Sequence, residues 1–254
     1  MYIQQISLDI NTTIDKNNLI DKFGLLMSFY RGSGQTQGYR ESHYLDGNKI
    51  ICFPFTLEKD SLHSNYNNYY VNRQIQKIEE LCNSKINFKT VGKSYEGYNG
   101  GCQCKQSEFY ILITNYSTIQ SPITCGSCNK SIPLYKLPAY YDYGYLPILS
   151  WETNYQSCDN LQMNCEVGER WATNQMQNIN SQLSKQGFKI CREIETLTNT
   201  PIYYFIYNYR KNKNDFTEKC PTCNKKWKLK NQLLNFYDYK CDHCKIISIK
   251  TLNS

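Results

Sequence analysis

The residues in this chain best suited to chemistry are its cysteines, 13 in 254 residues. Four of them are arranged as Cys220-Pro-Thr-Cys223 and Cys241-Asp-His-Cys244, with 17 residues between the pairs. Two residues between paired thiolates let one tight turn present both sulfurs to a zinc ion. A gap of this length leaves room for two strands, here 226–229 and 235–240. The spacing predicts a zinc ribbon. His243 is an alternative ligand, but four sulfurs already complete a tetrahedron and leave it to solvent. A second quartet is Cys102-Gln-Cys104 followed, after 20 residues, by Cys125-Gly-Ser-Cys128. Its C-x-C half makes a tighter chelate, for which Gly100, Gly101 and Gly126 supply backbone freedom. Two structural Zn2+ ions are therefore expected. Cys52, Cys82, Cys158, Cys165 and Cys191 lack pair spacing and read as buried core thiols. Cys158 and Cys165 are spaced to share a helical face.

Other reactive constellations are sparse. The chain has three histidines, His43, His63 and His243. It carries no Gly-rich phosphate loop, nucleophile elbow or His-Glu-x-x-His helix. A Cys52 and His63 pair is a conceivable dyad. Both quartets fill every zinc position with sulfur, leaving none for water, so the metal reads as structural and the protein as a non-enzyme.

The elements that must position these residues follow from periodicity. Residues 2–9 alternate as a strand, and Ile14, Leu19, Phe23, Leu26 and Phe29 recur as on a helix. Residues 31–40 form a loop. Residues 48–57 read as a strand with Pro54 at an edge or bulge. Val71, Ile75, Ile78, Leu81 and Cys82 mark a helix, and 86–92 a third strand. This β-α-β-α-β order predicts a small α/β sandwich over 1–99. Residues 100–210 hold the Cys102 quartet, a strand at 109–114 and a mostly helical stretch at 140–199. The clearest helices there are 169–175 and 183–197, the second tolerating Gly187. Pro201 stops that helix, and 202–209 is a Tyr-rich strand. Residues 211–254 form the ribbon module behind a polar linker. The expected class is α+β, with a zinc-stapled helical middle between the sandwich and the ribbon.

Charge is uneven. The chain has 29 basic and 22 acidic side chains, a net +7. Residues 210–254 hold 11 basic and 4 acidic ones, so the whole excess lies there. A zinc held by four thiolates carries −2, which brings the loaded chain nearer +3. Apolar runs such as 51–55 and 202–207 are too short to cross a bilayer. The N-terminus shows no secretory pattern. With unpaired thiols in a metal spacing, a cytoplasmic location is expected.

The chain resembles a family of bacterial zinc-ribbon-containing proteins of unknown function, suspected of nucleic-acid binding (domain-of-unknown-function family 2310). The resemblance lies in Cys102-Gln-Cys104, Ser121-Pro-Ile-Thr-Cys-Gly-Ser-Cys128 and Pro133-Leu-Tyr-Lys-Leu-Pro138. It continues through Trp151, Tyr155, Cys158-Asp-Asn-Leu-Gln-Met-Asn-Cys165 and Gly168-Glu-Arg170. Leu183-Ser-x-Gln-Gly187, Pro201-Ile-Tyr-Tyr204 and the final ribbon complete it. It covers about residues 100–250 and, more weakly, the first hundred, and it supports the zinc sites more strongly than any activity.

Two partner classes follow. Lys225, Lys226, Lys228 and Lys230 surround Trp227, and Phe236, Tyr237 and Tyr239 lie on the next strand. Lysines for phosphates with aromatics for base stacking make a platform for nucleic acid. Against this, Trp227 and Phe236 also suit the small core such a module needs. The alternative partner is a protein, bound through Tyr-rich surfaces at 140–145 and 202–209, as by an inhibitor or a bacterial immunity protein that neutralises a toxin.

Overall fold

The computed structural model describes residues 1–38, 41–95, 100–138, 140, 144–208 and 218–250. The chain divides into two compact units. One comprises Met1–Gly101, Ile119–Ser121 and Lys130–Leu146, and the other Cys102–Thr118, Pro122–Asn129 and Pro147–Ser254.

The first unit carries an antiparallel sheet centred on β1 (Tyr2–Asp9). One side of β1 pairs with β3 (Lys49–Cys52) and β4 (Phe55–Thr56), and β2 (His43–Asp46) extends the sheet beyond β3. β5 (Asn87–Lys93) also pairs with β1, in register from Ile3↔Gly92 to Ser7↔Asn87 with one bulge. The strand expected over 48–57 is thus two short strands. Pro54 lacks the N–H a continuous ladder would need, and the break falls there. Helices α1 (Lys16–Gly32) and α2 (Tyr69–Cys82) complete the unit. The Asp15 side chain caps α1 at Asn17 N, and the Asn68 side chain caps α2 at Val71 N. Ile6, Leu8, Phe23, Leu26, Val71 and Ile78 share one buried core. The α/β sandwich is present, with β2 added between the expected loop at 31–40 and the strand expected from residue 48, where no element was assigned from sequence.

The second unit is built on a six-stranded sheet of order β7-β6-β8-β11-β10-β9. Its strands are β6 (Tyr110–Leu112), β7 (Ile123–Cys125), β8 (Ile202–Phe205), β9 (Lys228–Leu233), β10 (Tyr237–Cys241) and β11 (Ile246–Ser248). Helices α3 (Leu146–Asn164), α4 (Glu169–Gln177) and α5 (Gln182–Thr198) supply the helical middle. Ser181 caps α5 through Ser184 N, and Asn199 ends it with φ 51° ahead of Pro201. Gly187 is more than tolerated. A Cβ there would overlap the Tyr204 ring, so glycine lets α5 approach β8.

The ribbon was expected behind a linker as a module of its own. Its third strand, β11, which periodicity did not reveal, instead lies parallel to β8. Tyr204 N donates to Lys245 O at 2.9 Å, and Ile206 N to Ile247 O at 2.9 Å. The Ser248 hydroxyl donates to Ile206 O at 2.6 Å. One sheet therefore runs from the middle segment into the ribbon. Residues 210–217 of the linker expected over 210–219 and the tyrosines 141, 143 and 209 lie outside the described residues, as do Gly97, Tyr39 and Arg40. Among the described residues, no helix is long and apolar enough to cross a membrane.

Candidate metal centres

Each expected cysteine quartet converges. Cys102, Cys104, Cys125 and Cys128 place their sulfurs within 4.8 Å of one another, and Cys220, Cys223, Cys241 and Cys244 do the same. A zinc with sulfur bonds of about 2.3 Å needs sulfurs about 3.8 Å apart in a tetrahedron. The Cys102–Cys128 separation of 3.5 Å and the Cys223–Cys241 separation of 3.6 Å suit such an ion. Both sets could hold a metal.

The first centre forms where β7 ends. Tyr110 on β6 pairs with Cys125, which fixes that sulfur at the sheet edge. Gly126 follows because the Phe109 ring lies where a Cβ would go. Gly100, with φ 72°, turns the chain into the C-x-C half. The Ser107 hydroxyl lies 3.2 Å from Cys125 Sγ, a contact the sequence did not disclose. Cys104 is exposed and Cys128 half-buried.

The second centre joins the turn before β9 to the end of β10. Asn224, with φ 63°, completes the first knuckle and Lys245, with φ 53°, the second. Backbone N–H groups point at sulfur in both centres: Cys104 to Cys102 at 3.3 Å, Ser127 to Cys125 at 3.4 Å, Thr222 to Cys220 at 3.5 Å and Cys244 to Cys241 at 3.4 Å. Such donors favour thiolate, the form that binds metal. The Lys225 backbone N–H, with smaller help from neighbouring thiols, holds Cys223 down at about 7. Burial pushes Cys102 and Cys244 up. Four crowded thiols resist joint ionisation without a cation among them, so metal and proton compete for these sites. His243 is exposed, with Nδ1 3.5 Å from Cys244 Sγ, and lies outside the sulfur set.

A bridge on the sheet links the two centres. The Phe109 ring, packed on Gly126, meets Tyr203 edge-on at 5.3 Å. Lys240 Nζ sits 4.5 Å from the Tyr203 ring centroid and 5.1 Å from that of Phe109. Tyr203 Oη donates to Asp242 Oδ1 at 2.5 Å, and Lys240 Nζ donates to the same oxygen at 2.7 Å. Asp242 stands between Cys241 and Cys244. None of this bridge was legible from spacing, because its members come from β10, β8 and the loops beside two knuckles.

The nucleic-acid residues divide. Lys225, Lys226, Lys228 and Lys230 are all exposed. Tyr237 and Tyr239, expected to stack bases, are 1% and 0% exposed. They and Trp227, at 1%, are the ribbon's core, with the Trp227 and Tyr239 rings 4.9 Å apart. A small module has little else to bury, and the tyrosines were drawn inward with the tryptophan. Phe236, expected to share that core, is instead 43% exposed at the β9–β10 turn. The Tyr-rich strand is also corrected. Ile202, Tyr203, Tyr204 and Phe205 are all buried, and Tyr145 is buried too. Of the spare cysteines, Cys52, Cys82, Cys158 and Cys191 are buried as expected. Cys165 is exposed, sits beyond the end of α3 and has φ 56°, so it shares no helical face with Cys158.

Residues 104–207 match the family described as Domain of unknown function (DUF2310). An uncharacterized protein of Haemophilus influenzae is 31% identical over 202 residues, spanning 79% of this chain and 76% of its own. This chain belongs to the DUF2310 family. A second uncharacterized Haemophilus influenzae protein is 33% identical over 140 residues, 54% of this chain and 69% of its own. Two further families of unknown function flank the DUF2310 segment, DUF8589 at 1–92 and DUF8594 at 210–254. Neither the family nor these relatives bring an activity with them. No solved structure matches the chain. The DUF2310 match includes three cysteines of the first quartet, and the DUF8594 match contains all four of the second.

Proposed function

We propose that this protein is a non-catalytic binder of nucleic acid, held in shape by two structural zinc ions. The reading rests on one observation. Lys225, Lys226, Lys228 and Lys230 are exposed along the segment that enters and forms β9, and β9 is an edge of the six-stranded sheet. Among the described residues, only Lys228 of these four has a carboxylate partner, Glu218 at 3.9 Å. Cations along a strand edge suit a phosphate backbone. Phe236, exposed at the adjoining turn, replaces Tyr237 and Tyr239 as the ring offered to a base. Zinc is the metal we assign, because four thiolates at tetrahedral spacing with no open position are its structural signature. Eight reduced thiols suit the reducing cytoplasm. The competing reading, an inhibitor of a protein toxin, draws less support because β8 is buried along its whole length.

The test is a gel-shift series with single-stranded DNA, RNA and duplex at two salt concentrations. Replacing Lys226, Lys228 and Lys230 together with Gln should weaken binding. Removing each phosphate-binding lysine should flatten the log–log salt slope by roughly 0.7 to 0.9. No shift by micromolar protein at low salt would sink the proposal, since even non-specific basic binders associate under those conditions.

A further inference from the structure

The first unit holds a recess of about 460 Å3 that neither metal centre uses. Its volume lies within the ordinary range for small-molecule pockets. Tyr66, Tyr135, Tyr140 and Tyr145 line it with aromatic surface, and Asn65 and Asn68 stand among its polar residues. None of the described lining residues is charged. A charged ligand would find no counter-ion among the described residues there, which argues against phosphate, carboxylate and ammonium groups as the part bound.

The walls are fixed from behind. Tyr135 Oη donates to Glu58 Oε2 at 2.8 Å, and Lys136 pairs with the same carboxylate at 2.6 Å. Tyr145 Oη donates to Leu137 O at 2.7 Å. Asn67 is clamped on both ends of its amide, by buried Gln35 at 3.0 Å and by Asn72 at 2.9 Å. Gly144, with φ +87°, lets the chain return against Gly32, whose oxygen a Cβ would strike. Tyr145 N then donates to Gly32 O at 2.9 Å. A recess whose walls are already ordered loses little entropy when it is filled.

Three polar groups at this site have no protein partner among the described residues: the Asn65 carboxamide, Asn68 Nδ2 and Tyr66 Oη. Asn68 Oδ1 is occupied by Val71 N at 3.0 Å. The Tyr66 and Tyr135 rings lie 4.4 Å apart at 38°. Among the described residues the site thus offers flat aromatic surface, a few donors and acceptors, and no charge. A pyranose, ringed by hydroxyls, needs more polar partners than these. A neutral heterocycle with a donor and acceptor side by side on one edge needs only a carboxamide and a ring.

We infer that this recess binds a single unpaired nucleobase, stacked on its tyrosines and read along one edge by Asn65 and Asn68. The site takes the base rather than the backbone, so it works without the ribbon lysines.

The test uses the full chain and four free ribonucleosides, with D-glucose as the sugar control, followed by saturation-transfer and chemical-shift NMR. At least one nucleoside should bind saturably and glucose should not. Tyr66→Ala should weaken the preferred nucleoside about tenfold or more, the effect of losing one stacking ring. Asn65→Ala, at an exposed position, should alter the ranking of the bases while leaving the thermal melt unchanged. The triple Lys→Gln ribbon variant should bind nucleosides like the parent. The inference is overturned if no nucleoside saturates the protein at about 5 mM, far above the useful range for a site of this size. It is equally overturned if both recess variants bind unchanged, or if glucose competes. A lysine-dependent gel shift surviving such a failure would leave the ribbon proposal standing and remove only this site.

Discussion

At Gly187, a residue type ordinarily unfavourable inside a helix is required by a neighbour. Alanine gains about 1 kcal/mol of helix propensity there. It would also drive a methyl into the Tyr204 ring, which α5 and Trp151 already enclose. Overpacking of this kind costs about 1–3 kcal/mol. Gly187→Ala should therefore lower stability in a urea titration despite the better helix former. The ribbon aromatics offer a paired contrast. Trp227→Ala removes a ring with 1% exposure and should cost about 3–5 kcal/mol of ribbon stability. Phe236→Ala should leave the melt nearly unchanged yet weaken single-strand binding about tenfold. The sequence placed Trp227 in the core but put Phe236 beside it and the tyrosines outside. Composition names an aromatic, whereas the pleat and a bulge between Tyr237 and Tyr239 decide which way it points.

At the scale of elements, the pairing of β8 with β11 changes what the second metal centre supports. Cys241 ends β10 and Cys244 immediately precedes Lys245, whose carbonyl accepts from Tyr204 N. Loss of metal should free β11 and expose one edge of β8. Cys220→Ser is therefore expected to lower the melting temperature of the whole second unit, not of a terminal appendage. The amides of Tyr204 and Ile206 should lose hydrogen-exchange protection first. A melt showing only a small, separate ribbon transition, with those amides still protected, would contradict this. The strands, helices and knuckles were mostly legible, because period and cysteine spacing are local. The parallel pairs β6–β8 and β8–β11 were not, since a register such as Ile111↔Tyr203 joins residues far apart in sequence. β11 was missed for a simpler reason: three residues, Ile246–Ser248, are too few to show a period.

Across the whole molecule, the charge and the metal belong to one account. The net +7 of the sequence counts eight ligand thiols as neutral. Two four-thiolate zinc sites would bring the chain nearer +3, leaving the ribbon's exposed lysines as a moderate, local field. Metal loss would thus raise the formal charge while dissolving the strands that align the lysines. Chelation should weaken specific salt-dependent binding even as it makes the chain more basic. Acid should act like chelator, since protons displace metal from thiolates. The most direct test of this account is elemental analysis of protein purified without added metal. It predicts two zinc atoms per chain, falling to one in Cys104→Ser with the ribbon site still loaded. A parent protein that carries one zinc, or none, would contradict it.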